Sequence, residues 1–528
     1  MNNPIKSLSN RSGLLIGANT SVLISSAFFI VLFIVLTILT PEKTGYFYNY
    51  LKNGINNYFS WYYILLVNIY LVLSIYLAFS KYGKIILGGA KEKPKYSFFS
   101  WFSMLFGAGI GIGILFYSIA EPVLHYQSNP FIDFTEDRNA AMQFGFRATI
   151  FHWGLHGWGI FVIIGLFLAY FNYKKGLPLA LRSALYPLIG DKIYGPIGHI
   201  ADSLGIIGTV FGISTSLGLG ANQINAGLNY LAGFEVNLNN QLIIIFVVSL
   251  FAIGSVLLGL DKGIKRLSNL NMVMTLILLV IFLAAGPTIY ILKQTGINLT
   301  DYFINTLQLG AWINSNPADT WQADWTMFYW GWWLSWAPFV GVFIARISKG
   351  RTIKEFCIGV LLAPTIMSAI WISILGSTAF YLEFIDGMNI IESVNNDMTT
   401  ALFITIESLG LSNSVSFAIA TLCIVMLLTY FVTSSDSATL VVCSLVCIGE
   451  ESPRARYRVF WGFAICGSAI ALLLAGGLKT LQTASVLSAF PSSIIMIIAT
   501  AGFLITLKKD LQETNDLEEK QIKAKRKV

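Results

Sequence analysis

The stretch that decides the fold reads WTMFYWGWWLSWAPF and covers residues 325–339. Seven of the thirteen tryptophans of the chain lie between Trp312 and Trp336. Tryptophans at a membrane surface form an interfacial belt, which explains Trp312, Trp321 and Trp325. As a helix, however, the segment from Trp325 to Trp336 rises by about 16 Å, or roughly half of a hydrocarbon core. We therefore predict that the later tryptophans line a site near the middle of a membrane.

The composition of the chain is that of a membrane protein. Of its 528 residues, 55% are apolar and 12% are charged, and the mean hydropathy is +0.69. Soluble proteins carry about 25% charged residues, so the chain lacks the polar cover that water requires. A soluble enzyme, a disulfide-rich secreted scaffold and a nucleic-acid-binding domain are thereby excluded, and no nucleic-acid partner is expected.

Apolar runs of about 20 residues, the length that spans a membrane as a helix, predict an all-α polytopic membrane protein with twelve transmembrane helices. We expect a cytoplasmic segment over residues 1–19, a transporter domain over 20–507 and a cytoplasmic tail over 508–528. The predicted helices are centred near Ile30, Val72, Gly111, Ile163, Phe211, Val247, Leu278, Phe339, Ile370, Leu427, Leu472 and Ile495.

The distribution of positive charge predicts the orientation in the membrane. All but six of the 34 lysines and arginines fall in loops on the amino-terminal side of the twelve predicted spans. By the positive-inside rule both termini are cytoplasmic, and the expected location is the inner (plasma) membrane of the cell. The six exceptions are Lys43, Lys52, Arg138, Arg147, Lys293 and Lys479.

Two of the predicted spans carry helix-breaking residues. Residues 107–113 read GAGIGIG, and each glycine costs a helix about 1 kcal/mol relative to alanine. Close helix packing is one explanation; the other is a helix that opens at Gly107, Gly109, Ile110, Gly111 and Gly113, and backbone that leaves a helix inside a membrane must line a cavity or a site.

The second interrupted span lies five spans later, where Gly331 and Pro338 fall in the tryptophan-rich stretch. Interrupted helices at corresponding positions of two halves indicate a transporter built from inverted repeats. We therefore predict two repeats, over about residues 100–292 and 325–507.

Clustered tryptophans indicate the type of ligand. Their π faces attract a cation that carries no hydrogen-bond donor, such as a trimethylammonium group, and each desolvated contact contributes about 2 kcal/mol. The predicted fourth span adds Trp153, Trp158 and Phe161, the last two on one helix face because they are three residues apart.

Other reactive residue types give weaker signals. The five cysteines lie in or beside apolar helices and are expected to be small core residues. His152 and His156 have metal-ligand spacing on a helix but no third ligand near them in the sequence, so no metal other than a coupling ion and no cofactor is expected. The membrane residues contain no nucleophile and base pair, which argues against an enzyme.

Two segments resemble a known family. Residues 325–351, WTMFYWGWWLSWAPFVGVFIARISKGR, resemble the signature of the betaine/choline/carnitine transporter family, and residues 109–122, GIGIGILFYSIAEP, resemble its broken helix. The similarity extends from the first predicted span to the twelfth. It implies a leucine-transporter-like fold, in which two helices precede a five-plus-five inverted repeat, and assembly as a homotrimer in the lipid bilayer.

The resemblance also implies the substrate site. Trp153, Trp158 and Trp333 look like the walls of a box for a quaternary ammonium group, with Trp332 and Trp336 near the access path. Phe161 stands where betaine carriers usually have tyrosine, a change that keeps the π face and removes a hydroxyl group.

A sodium ion is implied as the coupling ion. Sodium-coupled members have glycine at the position of Gly113, where proton-coupled choline carriers have aspartate. Thr433 and Ser434 resemble the hydroxyl pair of the main sodium site, completed by carbonyl groups near Gly107 and Ile110. A second site would use Thr209 and Phe339, but Ile213 replaces a threonine ligand, so that site is absent or rebuilt around Ser214.

Two acidic residues lie within predicted spans. Asp436 is a functional candidate by default, either as a proton-coupling group or as a residue at a helix break. Glu121, beside Pro122, is expected to cap a helix or to gate the site rather than bind substrate.

These observations predict a sodium-coupled symporter that imports a quaternary-ammonium solute, with glycine betaine as the expected substrate. A choline or carnitine carrier, driven by protons or by exchange, is the first alternative. An osmosensing channel is a more distant one.

Overall fold

The computed structural model describes residues 9, 10, 12, 13, 15–89, 91–109, 111–258, 260–316, 318–450 and 452–525. Ile110, which the sequence placed in the broken helix and the sodium site, lies outside this part of the chain. The described residues form helices joined by short loops, with one isolated β-bridge between Ile86 and Thr352. The long helices are Thr20–Leu39, Pro41–Phe79, Phe98–Gly109, Gly111–Gln127, Arg138–Trp153, Leu155–Lys175, Pro196–Ala232, Leu238–Leu258, Leu260–Ala285, Thr288–Ala311, Thr326–Ile347, Ile353–Phe384, Asn413–Val446, Ala455–Leu474 and Gly477–Lys525.

The predicted class, an all-α polytopic membrane protein, is confirmed in its coarse form. Among the described residues, ten helices are long and apolar enough to cross a membrane, or eleven if one bent pair counts as a single span. The count of twelve stays a prediction. The difference is the helix Thr326–Ile347, here called the tryptophan helix, which has 22 residues but whose tryptophans, tyrosine and proline lower its hydropathy.

Helices at the periphery and helices at the centre differ in what covers them. The helices Thr20–Leu39 and Leu238–Leu258 expose large apolar side chains such as Phe28 and Phe251, which are 66% and 69% exposed. Exposed apolar faces of this size are unfavourable in water and suit lipid. The tryptophan helix, by contrast, is buried along nearly its whole length, so it lies at the centre of the molecule.

The predicted break in the third span is present in the structure. The segments Phe98–Gly107 and Gly111–Gln127 meet at an angle of 67°. A methyl group at Gly111 would collide with the ring of Tyr430, so glycine is needed here for close approach. We call Phe98–Gly109 and Gly111–Gln127 the first and second break helices.

The predicted interruption of the tryptophan helix is wrong. It runs without a break from Thr326 to Ile347, with Pro338 in its interior. Proline is tolerated inside membrane helices because neighbouring groups satisfy the carbonyl that loses its partner. Gly331 serves packing: a methyl group there would lie 2.8 Å from Cα of Val486. The division into two inverted repeats therefore loses one of its two supports and stays a prediction.

The last helix crosses the predicted boundary between transporter domain and tail. It runs from Gly477 to Lys525, so residues 508–525 continue a helix that begins inside the molecule. Near this boundary Lys175 binds Asp510 at 2.6 Å. The three domain ranges stay predictions.

Candidate functional site

Three indole rings of the tryptophan helix form a parallel stack. The rings of Trp332 and Trp333 lie 5.0 Å apart with an interplanar angle of 8°, and Trp336 lies 5.9 and 6.0 Å from them at 20° and 19°. All three side chains are at most 2% exposed. Their faces are therefore screened from water, the condition in which a π face attracts a cation most strongly.

Rings from two further helices, Arg138–Trp153 and Leu155–Lys175, meet this stack edge to face. Trp153 meets Trp333 at 5.2 Å and 78°, and it meets Trp332 at 6.1 Å and 84°. Phe161 meets Trp333 at 5.8 Å and 78°, and Trp158 meets Phe161 at 5.5 Å. The structure thus brings together all six aromatic residues that the sequence assigned to the box. We call these six residues the aromatic cluster.

A break in the fourth predicted span places Trp153. The helix Arg138–Trp153 ends at Gly154, whose backbone is not helical (φ −105°, ψ −143°), and the helix Leu155–Lys175 follows. The hydroxyl group of Tyr302 accepts a hydrogen bond from the backbone N–H of Leu155 at 2.9 Å. The sequence does not reveal this break, because Gly154 is a single glycine in a continuous apolar run.

The first and second break helices lie against the aromatic cluster. A methyl group at Gly109 would come within 3.2 Å of the Trp158 ring. One at Gly113 would collide with Trp153 and come within 3.0 Å of Trp332. The glycines of the predicted break therefore lie at the same site as the rings of the predicted box. Two of these residues, Gly113 and Trp332, are more than 200 residues apart in the sequence.

Hydrogen bonds from the indole nitrogens fix two rings of the stack. Trp333 Nε1 donates to the carbonyl oxygen of His152 at 2.9 Å, and Trp332 Nε1 donates to the carbonyl oxygen of Gly212 at 3.2 Å. His152 lies in the last turn of its helix, where carbonyl groups lack helical partners. Trp336 Nε1 is buried without a hydrogen-bond partner in the described part of the chain, so it can donate to a ligand.

A buried carboxylate joins the aromatic cluster to a polar network. Glu121 Oε2 accepts hydrogen bonds from Trp153 Nε1 at 2.9 Å and from the Tyr329 hydroxyl at 2.5 Å. Its Oε1 lies 2.7 Å from His152 Nδ1 and 3.2 Å from His125 Nε2. The carboxylate thus binds four side chains. Its partners in the described structure are side chains and not the backbone of a helix end, so the capping hypothesis for Glu121 is wrong. Gating by Glu121 stays a hypothesis.

The three residues Glu121, His125 and His152 place their ligand atoms within 4.8 Å of one another, close enough to hold a metal ion. The hydrogen bonds favour a different arrangement. Trp321 Nε1, which can only donate, lies 3.0 Å from His125 Nδ1. His125 Nδ1 must therefore accept, and the ring proton sits on Nε2, facing Glu121. A protonated Nε2 cannot bind a metal, so the geometry fits a hydrogen-bond network.

Two residues assigned to the main sodium site, Thr433 and Gly107, lie against the helix Leu260–Ala285. Thr433 Oγ1 accepts a hydrogen bond from Asn271 Nδ2 at 3.2 Å and donates to the carbonyl of Thr429 at 2.7 Å. Gly107 lies against Ser268, one turn from Asn271. Ser268 Oγ and Asn271 Oδ1 are both buried without a hydrogen-bond partner among the described residues. Ser434, the residue after Thr433, is also buried.

The residues assigned to the second sodium site are not brought together by the described contacts. Thr209 Oγ1 donates to the carbonyl of Gly205 at 2.7 Å, and Ser214 Oγ donates to the carbonyl of Val210 at 2.7 Å. Both hydroxyl groups thus bind their own helix. Ile213 is fully buried and Phe339 packs on Trp336 at 5.8 Å. The described contacts do not gather these residues around one point.

Asp436 lies inside the continuous helix Asn413–Val446, so the hypothesis of a helix break there is wrong. It accepts a short hydrogen bond from the hydroxyl of Ser255, and its Oδ1 is buried without a hydrogen-bond partner in the described structure. Proton coupling through Asp436 stays a hypothesis.

A polytopic helical membrane protein with a broken helix at a buried aromatic site is typical of secondary transporters. Comparison with known families defines the class further. Residues 21–512 match the family described as BCCT, betaine/carnitine/choline family transporter. The chain belongs to this family, whose members are transporters and not enzymes.

Several named relatives match most of the chain. It is 44% identical over 502 residues to the glycine betaine transporter of Acinetobacter baylyi, covering 95% of this chain and 75% of the relative. It is 39% identical to the glycine betaine transporter OpuD of Bacillus subtilis, covering 94% and 96%. It is 38% identical to the osmo-independent choline transporter BetT1 of Acinetobacter baylyi, covering 94% of each chain.

Proposed function

We propose that this protein is a secondary-active symporter that imports glycine betaine with sodium. The observation that carries the proposal is the aromatic cluster, six buried rings in contact with a broken helix. The rings supply π faces for the trimethylammonium head. The indole N–H of Trp336, which has no partner among the described residues, and the backbone at the bend between Gly107 and Gly111 supply donors for the carboxylate.

The site residues favour a cation without hydrogen-bond donors. Among the six members of the aromatic cluster, none carries a side-chain hydrogen-bond acceptor, because indole and phenyl groups offer only a donor or a π face. A primary ammonium group would lose its water without gaining acceptors from these rings. A quaternary ammonium group loses less and gains the cation–π attraction.

The coupling ion is assigned to sodium through its ligand chemistry. Na⁺ binds hydroxyl and carbonyl oxygens, and an unwound helix frees carbonyl groups for it. Thr433, Ser434 and the backbone at Gly107 supply such oxygens. The second site, with Thr209, Phe339 and Ser214, is the weaker part of the proposal because Ile213 has no oxygen in its side chain.

The proposed location is the plasma membrane, with both termini in the cytoplasm, because most positive charges fall in loops on the amino-terminal side. We further propose that the chain assembles as a homotrimer, as the family resemblance implies.

The proposal is tested by uptake of radiolabelled glycine betaine into proteoliposomes. We expect uptake to exceed equilibrium when sodium is higher outside, and to stop at equilibrium when potassium replaces sodium. Accumulation at the same level without a sodium gradient would show that sodium is not the coupling ion. Ion conductance without accumulation of substrate would favour a channel instead.

A substitution at the main sodium site gives a sharper result. Thr433→Val keeps the shape of the side chain and removes the hydroxyl group, whose interaction with a cation is worth about 2 kcal/mol. We expect the sodium concentration for half-maximal uptake to rise by at least roughly tenfold. The matched control is Thr421→Val, on the same helix with an exposed hydroxyl group. Equal changes in both variants would show that Thr433 is not part of the sodium site.

A choline carrier is the second candidate, supported by the relative BetT1. Competition between radiolabelled betaine and unlabelled choline, carnitine or betaine at fixed sodium separates the candidates. We expect betaine to compete at the lowest concentration. Stronger competition by choline, with uptake that follows pH rather than sodium, would favour the choline carrier.

A further inference from the structure

The carboxylate of Glu121 lies directly behind one wall of the aromatic cluster. It joins Trp153, a member of the cluster, to Tyr329 of the tryptophan helix through one oxygen atom, Oε2. Trp153 Nε1 also donates to the Tyr329 hydroxyl at 3.1 Å. Trp153 and Tyr329 belong to different helices. By binding both residues, Glu121 fixes the ring of Trp153 relative to the tryptophan helix.

The second oxygen of Glu121 anchors it to the rest of the protein. His152 Nδ1 and His125 Nε2 both approach Oε1. His152 Nε2 lies 3.1 Å from Thr326 Oγ1, and His125 Nδ1 accepts from Trp321 Nε1. The second ring nitrogen of each histidine is therefore hydrogen-bonded as well. Because both histidines are fixed, the carboxylate keeps its position and holds Trp153 in place.

The number of donors matches a carboxylate and no other side chain. Four donors face two oxygens that together offer about four lone-pair sites. A glutamine would place its NH₂ group either against Trp153 or against His125. Indole can only donate, and His125 is fixed as a donor on this side by Trp321, so either orientation leaves one donor facing another.

We infer that Glu121 is a positioning residue for the substrate site, which fixes the ring of Trp153 at the angle that the bound quaternary ammonium group requires. This inference rests on the proposed function, because it assumes that the aromatic cluster holds the substrate. Glu121 acts through Trp153 and does not contact the substrate.

The inference is tested by binding of glycine betaine to the purified protein in detergent, measured by the change in tryptophan fluorescence. We expect Glu121→Gln to raise the dissociation constant by at least about tenfold, because a misaligned wall loses most of one cation–π contact. Glu136→Gln, an exposed glutamate in the loop before the helix Arg138–Trp153, is the matched control and is expected to bind as the unchanged protein does.

A double-mutant cycle with Trp153→Phe shows whether Glu121 acts through the ring. Phenylalanine keeps a π face and removes the N–H group that Glu121 accepts. If Glu121 works by positioning Trp153, Glu121→Gln changes the dissociation constant by less than about threefold in the Trp153→Phe background, so the effects are not additive. Additive effects would show that Glu121 acts elsewhere and would overturn the inference.

Variants that fail to fold are recognised by aggregation in size-exclusion chromatography. In that case Glu121→Asp is used, which keeps the charge and shortens the side chain by one methylene group, so that it cannot reach both sets of donors. A folded Glu121→Asp or Glu121→Gln protein with unchanged affinity overturns the inference. If the unchanged protein itself binds no betaine, the proposed function fails instead, and the two failures are therefore distinguishable.

Discussion

Replacement of Trp333 by leucine is expected to raise the dissociation constant for glycine betaine about 30-fold or more. Trp333 is the ring with the most contacts in the aromatic cluster: it stacks on Trp332 and Trp336 and meets Trp153 and Phe161 edge to face. A leucine fills much of the volume but has no π face, so about 2 kcal/mol of cation–π attraction is lost. This corresponds to about a 30-fold change in affinity. Tryptophan fluorescence titration and betaine uptake both measure it.

The matched control for this substitution is Trp461→Leu. Trp461 is equally buried but packs beside Phe460, outside the aromatic cluster. Trp333→Phe provides an intermediate case, since it keeps a π face and loses the hydrogen bond to the His152 carbonyl. We expect the order of affinity to be unchanged protein, Trp333→Phe, Trp333→Leu. Equal losses in Trp333→Leu and Trp461→Leu would mean that the effect is one of folding and not of the site.

The sequence could predict the members of the site because each carried a local signal. Glycine at alternate positions predicts a loosened helix, and the bend between Gly107 and Gly111 follows. Tryptophans too deep for a belt predict a buried cluster, and Trp332, Trp333 and Trp336 are buried and stacked. The contact between these two segments depends on tertiary packing, and the family resemblance was needed to expect it.

The errors of the sequence analysis have a common cause. Gly331 and Pro338 are helix breakers in isolation, but the tryptophan helix is packed on all sides, and Gly331 lets Val486 approach its backbone. Local propensity was thus overruled by packing, as is common in buried helices. The count of twelve spans is a separate matter and stays a prediction: the tryptophan helix, which it includes, is covered by protein and is less hydropathic than the helices that face lipid.

The polar network around Glu121 could not be foreseen from the sequence. Its partners His152 and Tyr329 are 31 and 208 residues away, and no local pattern links them. The spacing of His152 and His156 is typical of metal ligands, but His156 Nε2 lies 3.3 Å from Asn68 Oδ1. An acidic residue inside a span is a signal that something must satisfy it, but only the fold shows what does so.

Replacement of Gly113 by alanine is expected to reduce betaine uptake about 100-fold or more, because it acts on two walls of the site at once. The added methyl group would collide with the ring of Trp153 and come within 3.0 Å of Trp332. Trp153 cannot yield easily, since Glu121 and Tyr329 hold its indole nitrogen. Overpacking of a rigid interior commonly costs about 1–3 kcal/mol, and here the displaced rings are those proposed to bind the substrate.

The matched control is Gly254→Ala, in the helix Leu238–Leu258, where a methyl group would meet no other heavy atom within 4 Å. This variant is expected to transport normally, because alanine favours a helix and touches nothing there. The decisive measurement is the dissociation constant for betaine in folded Gly113→Ala protein. A normal value would mean that the substrate binds away from the surface between the second break helix and the tryptophan stack. A raised value in Gly113→Ala alone, together with the non-additive effect of Glu121→Gln and Trp153→Phe, would place the binding surface at Trp153.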